Sequence, residues 1–169
     1  PQGIANVAWS LVVLDSRDDT DFATLIAAFM PHAATDYPEL PVHLSQMHQV
    51  GLHVRLHPDE LPLSAAALAD SGEFTDQCRA AFTAQPQVRS ATQADVAEVV
   101  HGMGLAFEEE ATLADAGHYS VDFLLTGKRL VVEVEGPTHF VRGAVGLRDS
   151  GATMLKHRQL QGFGYRVVS

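Results

Sequence analysis

Apolar positions recur at helical spacing through the first half of the chain, and the period changes in the second half. Within residues 3–14, Ile4, Val7, Ala8, Leu11 and Val12 form one stripe, and within residues 20–30, Phe22, Leu25, Ile26, Phe29 and Met30 form another. The polar run Asp15–Thr20 between them predicts a helical hairpin. Pro38 and Pro41 bracket a break. A third helix is expected over residues 42–56, with Met47, Val50 and Val54 inward and Pro58 as its stop. Residues 64–84 are Ala-rich and read as helix interrupted near Ser71-Gly72. Gln85-Pro86-Gln87 has linker composition, which divides the chain into a helical segment, 1–87, and a second domain, 88–169.

In the second domain, Thr92-Gln-Ala-Asp95 reads as a capping box opening a helix to about Met103, with Gly102 and Gly104 ending it. Leu105-Ala-Phe107 begins a strand that runs through Glu108–Glu110. Tyr119–Leu125 is a second strand, followed by a tight turn at Thr126-Gly127-Lys128. Arg129–Glu135 is apolar enough for the middle of a sheet, and Pro137 stops it because proline has no N–H for a ladder. Gly136–Ser150 is read as a Gly-rich loop, Thr153–Gly162 as a helix with Met154, Leu155 and Leu160 as its apolar contacts, and Tyr165–Val168 as a last strand. The expected architecture is a helical segment followed by a small α/β domain of order α-β-β-β-α-β.

Composition narrows the classes. With 46% hydrophobic residues among 169, one or two small cores are affordable. No apolar run approaches about 18 residues, so no transmembrane helix and no membrane partner are expected. The first residue is Pro1, so a natural start with any targeting peptide is expected further upstream. Cys78 is the single cysteine, which excludes an internal disulfide framework and a cysteine-based zinc cluster; its Ala-rich surroundings predict burial. The net charge of −10 argues against general nucleic-acid binding. Charge is uneven, however. Residues 1–120 carry seventeen acidic and four basic side chains, and residues 121–169 carry four and seven. Such asymmetry reads either as a signal for partners of opposite sign or as a solvated acidic face.

Candidate chemistry concentrates in VVEVEGPTHF, residues 131–140. Glu133 and Glu135, two apart on a strand, point to one side of the sheet, and like charges so placed require a cation, a partner or solvent. Hard cations prefer such carboxylate oxygens. Three readings stay open: metal-dependent cleavage, internal pairing with Lys156, Arg158 or Arg142 that orders the sheet against the last helix, and direct contact with RNA or protein. His139, just past Gly136-Pro137, has the chemistry of a base or a phosphate contact. Lys128, Arg129, Arg142, Arg148, Lys156, His157, Arg158 and Arg166 make the stretch basic. Arg142 and Arg148 are the strongest phosphate contacts because loops wrap a backbone, while Phe140 or Tyr165 offers stacking and Tyr165 and Phe163 also read as core. Among the histidines at 43, 48, 53 and 57, only His53 and His57 have the i, i+4 spacing of a helical metal pair; no third ligand follows nearby, so they are read as ordinary helix histidines.

The second domain resembles a RAP domain, a module named as RNA-binding. Four segments carry the resemblance, in the family's order: Ser120-Val-Asp122-Phe-Leu, Val132-Glu133-Val-Glu135-Gly-Pro-Thr-His139-Phe, Gly151-Ala-Thr-Met-Leu-Lys156-His-Arg158-Gln-Leu, and Gly164-Tyr-Arg-Val-Val. Upstream, Gly3-Ile-Ala-Asn6-Val-Ala-Trp9-Ser-Leu resembles a helix of the octotricopeptide-type repeats that precede such domains, and Leu44-Ser-Gln-Met-His-Gln-Val-Gly-Leu-His-Val resembles the connecting region. The resemblance implies the C-terminal end of an octotricopeptide-repeat or FAST-kinase-like organellar RNA-binding protein, in a mitochondrion or a chloroplast, with the mitochondrion favoured. It also implies a restriction-endonuclease-like, PD-(D/E)xK fold. In that pattern Asp122 is the first carboxylate, Glu133 the second, and Glu135 stands where a lysine is expected, with Lys156 as a possible replacement. The resemblance therefore implies a RAP module that contacts rRNA or organellar mRNA without catalysis and without a cofactor, alongside ribosomal or other ribonucleoprotein partners. The alternatives are a Mg²⁺-dependent RNA endonuclease acting through Asp122, Glu133, Glu135 and Lys156, a transcript stabilisation or translation factor, or a protein-interaction module.

Overall fold

The computed structural model describes residues 1–84, 90–143 and 146–169; the linker expected at Gln85-Pro86-Gln87 lies outside them. The chain divides into two compact units, Pro1–Gln85 and Pro86–Ser169.

The first unit is helical: α1 (Gln2–Val13), α2 (Asp19–Phe29), a short 3-10 turn (Met30–Ala34), α3 (Leu40–Leu56), α4 (Pro62–Ala69) and α5 (Gly72–Thr83). α3 packs against α1 and α5, and α2 packs against α4. Pro41 lies in the first turn of α3, where its missing N–H is no loss, so the helix starts earlier than the expected residue 42. The buried face of α1 consists of Ala5, Ala8 and Val12, while Val7 is exposed. The stripe is thus turned by about one position from the expected one, because the small alanines let α3 approach closely. Phe22, Ile26 and Phe29 fill the core from α2, as their spacing predicts, and Cys78 is buried.

Both ends of the α1–α2 turn follow from local chemistry. The N–H of Ser16 donates to the carbonyl of Leu11 and the N–H of Asp15 to that of Val12, with Asp15 left-handed at φ 61°. This is a Schellman closure with aspartate, one of the few non-glycine residues that tolerate that conformation. Asp18 then caps α2 by accepting from the N–H of Asp21. Its neighbour Asp19 reaches across to α4 and accepts from the N–H groups of Leu63 and Ser64 and from the Ser64 hydroxyl. Burial works to raise the Asp19 carboxyl, but these hydrogen bonds outweigh it and hold the group below its usual range.

The second unit begins with α6 (Ala91–Gly102), followed by β1 (Phe107–Leu113), β2 (Tyr119–Leu125), β3 (Leu130–Val132), a hairpin of β4 (Phe140–Gly143) and β5 (Gly146–Asp149), α7 (Gly151–Gly162) and β6 (Arg166–Val168). Four strands make a mixed sheet in the order β1-β2-β3-β6, antiparallel except for the β3–β6 pair. The expected class, a helical segment followed by an α/β domain, is what the chain forms. Tyr119, Val121, Phe123 and Leu125 alternate onto the buried face of β2. Val131, Leu155 and Leu160 are fully buried, each worth about 1.5–3 kcal/mol of transfer free energy. Tyr119 Oη donates to Gln159 Oε1 at 2.7 Å, which ties β2 to α7.

Three local expectations are corrected. The capping box is Ser90 with Gln93, two residues earlier than read, because the Ser90 hydroxyl accepts from the Gln93 N–H while the Gln93 side chain accepts from the Ser90 N–H. β3 ends at Val132 and not at Glu135, although the N–H of Glu133 still donates to the carbonyl of Val168 at 2.8 Å. The stretch Gly136–Ser150 is not simply a loop. It contains a 3-10 turn (Pro137–His139) and the β4–β5 hairpin, and the described part of that hairpin pairs Val141 with Arg148 and Arg142 with Leu147.

Candidate nucleic-acid interface and acidic pocket

Val132 lies opposite Phe123, so the chain leaves β3 with Glu133 abreast of Asp122. Asp122 is half-buried, and both of its oxygens have donors. The side-chain amide of Gln93 donates to Oδ1, and the N–H of Val134 donates to Oδ2 at 2.6 Å. Gln93 therefore caps its own helix and orders the carboxylate as well. Glu133 is 6% exposed at its side chain, and Lys156 Nζ donates to its Oε2 at 2.7 Å. Burial pushes the Glu133 carboxyl up to about 7; Lys156 works against that shift, while the charges of Asp122 and Glu135 add to it. Glu135, 8% exposed at its side chain, has His157 Nε2 3.1 Å from Oε1, close but not aligned as a hydrogen bond. Oε1 of Glu133 and Oε1 of Glu135 are buried without a hydrogen bond.

The structure thus gathers Asp122, Glu133, Glu135 and Lys156, as the sequence predicts, and adds Gln93 and His157. Gln93 is hidden in the sequence by the misplaced capping box. His157 has one signal: it follows Lys156 on the helix that faces the sheet. Mg²⁺ demands near-octahedral oxygen coordination. Here Asp122 has both oxygens engaged, Glu133 already holds an ammonium, and Oε1 of Glu133 and Oε1 of Glu135 are the buried oxygens without a hydrogen bond among the described residues. This arrangement does not fit Mg²⁺. What it can do chemically is exchange a proton at Glu133 near neutral pH while Lys156 supplies the positive charge.

The expected RNA contacts fall into different settings. Lys128 is exposed in the turn after β2, and Arg142 and Arg148 are exposed on the hairpin. The register puts Arg142 beside Leu147 and Arg148 beside Val141, so the two arginines project from opposite faces of the hairpin. His139 is half-buried: its carbonyl accepts from the N–H of Ser150 at 2.7 Å, and its Nδ1 is 3.4 Å from the Thr153 hydroxyl. Arg158 is half-buried on α7. Arg129 serves the fold. It donates to the carbonyls of Phe163 and Gly164 at the end of α7, stacks 4.2 Å over the Tyr165 ring and pairs with Asp115 at 3.0 Å. Tyr165 Oη also donates to Asp115, and this hydrogen bond leads the effects that hold the Asp115 carboxyl below its usual range. Tyr165 is buried, as core and not as a stacking platform.

Among the described residues, no helix is long and apolar enough to cross a membrane. No family model matches the chain, and no solved structure matches it. A RAP domain-containing, chloroplastic protein of Oryza sativa subsp. japonica is 26% identical over 170 residues, which cover 98% of this chain and 26% of that protein. The chain accordingly spans about a quarter of that relative's length. Along nearly its whole length, the chain is a distant homologue of a RAP domain-containing protein.

Proposed function

We propose that this chain is an RNA-contacting part of an organellar RNA-associated protein, with its α/β unit acting as a non-catalytic, restriction-endonuclease-like RAP module. One observation carries the non-catalytic part: the acids of the pocket are engaged by the chain's own groups, with Lys156 on Glu133 and with Gln93 and the Val134 N–H on Asp122. Such a pocket orders the sheet against α7. Lys128, Arg142 and Arg148, all exposed, are the groups best placed to meet a polynucleotide, and Arg158 and His139 are half-buried. Phosphate contacts of this kind position RNA without reading its sequence. The target class is an organellar rRNA or mRNA, and basic ribosomal or ribonucleoprotein partners suit the acidic first part of the chain. The relative's name supports an organelle and gives no support for a mitochondrion over a chloroplast.

The test is fluorescence anisotropy with a labelled RNA hairpin and a labelled single strand, read across a salt series. Arg142→Ala with Arg148→Ala is expected to weaken binding to both RNAs and to flatten the salt slope by about one to two. Unchanged affinity and slope would remove the hairpin from the interface. The same RNAs incubated with Mg²⁺ or Mn²⁺ are expected to stay intact. Cleavage that is lost in Glu133→Ala would reinstate the endonuclease reading, for which the two unbonded carboxylate oxygens speak.

A further inference from the structure

The helical unit holds a cluster that RNA binding does not use. Asp15, His53 and His57 each offer a ligand atom, and these atoms all lie within 4.8 Å of one another. Asp15 comes from the α1–α2 turn, held there by its left-handed closure; His53 and His57 come from the C-terminal end of α3. Beside two of them lies the Arg17 guanidinium, 2.9 Å from Asp15 Oδ1, 2.9 Å from His53 Nε2 and 3.2 Å from Glu60 Oε2. His53 Nε2 is also 2.9 Å from the carbonyl of Ser16. No protonation state of the ring serves both neighbours. A protonated Nε2 satisfies Ser16 and opposes the Arg17 donor, whereas a bare Nε2 accepts from Arg17 and opposes the carbonyl.

We propose that Asp15, His53 and His57 form a binding site for a first-row transition-metal dication of the Zn²⁺ type, with Arg17 holding two of these ligands until the ion binds. Two imidazoles and a carboxylate are a donor set for such ions. Tetrahedral zinc with bonds of about 2.0–2.1 Å holds its ligands about 3.3 Å apart, so small side-chain rotations close the cluster. His53 is 1% exposed, so its ring is held in a fixed position from which it can serve as a ligand. His57 Nδ1 lies 3.5 Å from Glu60 Oε1, near enough for a small adjustment to make the outer carboxylate contact that orients a ligating histidine. Arg17 is partly solvent-exposed, as are its two carboxylate partners, and ion pairs of that kind are weak enough for a dication to displace. The ion would tie the α1–α2 turn to the end of α3.

Trp9, the single tryptophan, reports on this unit because its Nε1 donates to Gln49 between α1 and α3. The experiment uses the full chain after EDTA treatment and dialysis. It reads Zn²⁺ stoichiometry and affinity by calorimetry, the Co²⁺ visible spectrum, and the thermal midpoint by Trp9 fluorescence. One ion per chain and a raised midpoint are expected, with no response to Mg²⁺. His57→Ala should weaken binding at least about tenfold, since loss of even an outer partner costs 10–100-fold. If that variant does not fold, Asp15→Asn keeps the left-handed turn and takes its place. Arg17→Gln should tighten binding, because it removes the competing cation. Zn²⁺ in large excess leaving the midpoint unmoved, affinity unaffected by His57→Ala or Asp15→Asn, or weaker binding in Arg17→Gln would each overturn the proposal.

Discussion

Replacing Glu133 by glutamine tests the pocket directly. The side chain keeps its shape and loses its proton chemistry. A carboxyl whose pKa rises from 4.5 to about 7 on folding contributes stability that is fully present below 4.5 and lost as pH rises through 7. Integrated between pH 5 and pH 8, that shift makes ionised Glu133 cost about 2–3 kcal/mol of folding free energy. In a unit of this size such a difference moves a thermal midpoint by about 10 °C or more. Other groups also titrate, so the informative quantity is wild type minus Glu133→Gln. Lys156, 26% exposed at its side chain, can turn to water in the variant. The assay is native-state hydrogen exchange of the β2 and β3 amides across pH 5–8, corrected for intrinsic exchange rates, because Trp9 reports on the other unit. The wild type should lose about 2–3 kcal/mol relative to the variant as pH rises through this range. A difference that stays constant with pH would mean that Glu133 titrates like a solvated carboxylate, and the buried Glu133–Lys156 pair would fall with it.

Two further outcomes follow from the same contacts. Arg129→Ala should destabilise the second unit by about 1–2 kcal/mol, through the lost Tyr165 stack and the carbonyl bonds at the end of α7, and leave RNA affinity unchanged; exchange at β6 and anisotropy check the two halves. Gln93→Ala should cost about 1–2 kcal/mol, because it opens the Ser90 capping box and removes the donor on Asp122 Oδ1 at once; exchange in the first turn of α6 measures it.

The fold was legible wherever one face of an element alternates cleanly. Phe22, Ile26 and Phe29 marked α2, the period-two run Tyr119–Leu125 marked β2, and Gly164, at φ 86°, marked the end of α7. It was misread where two local patterns compete. Ser90 and Thr92 both offer a hydroxyl three residues before a hydrogen-bonding side chain, and only the backbone shows which one caps. Glycines in 136–150 suggested a loop, yet Arg142 and Leu147 face each other across a ladder. Glu133 and Glu135 continue the apolar run in the sequence, but the strand proper stops at Val132.

From composition and period alone came the helical first half, the α/β second half and the basic C-terminal stretch, because periodicity and charge are properties of the chain; the company of Asp122, Glu133, Glu135 and Lys156 was implied by the family resemblance. Tertiary structure decided which partner each acid takes, that Arg129 serves α7 and Asp115, and that Asp15 stands beside His53 and His57. Those pairings join residues 12 to 50 positions apart, and in a folded chain distance in space is set by packing and not by spacing along the sequence.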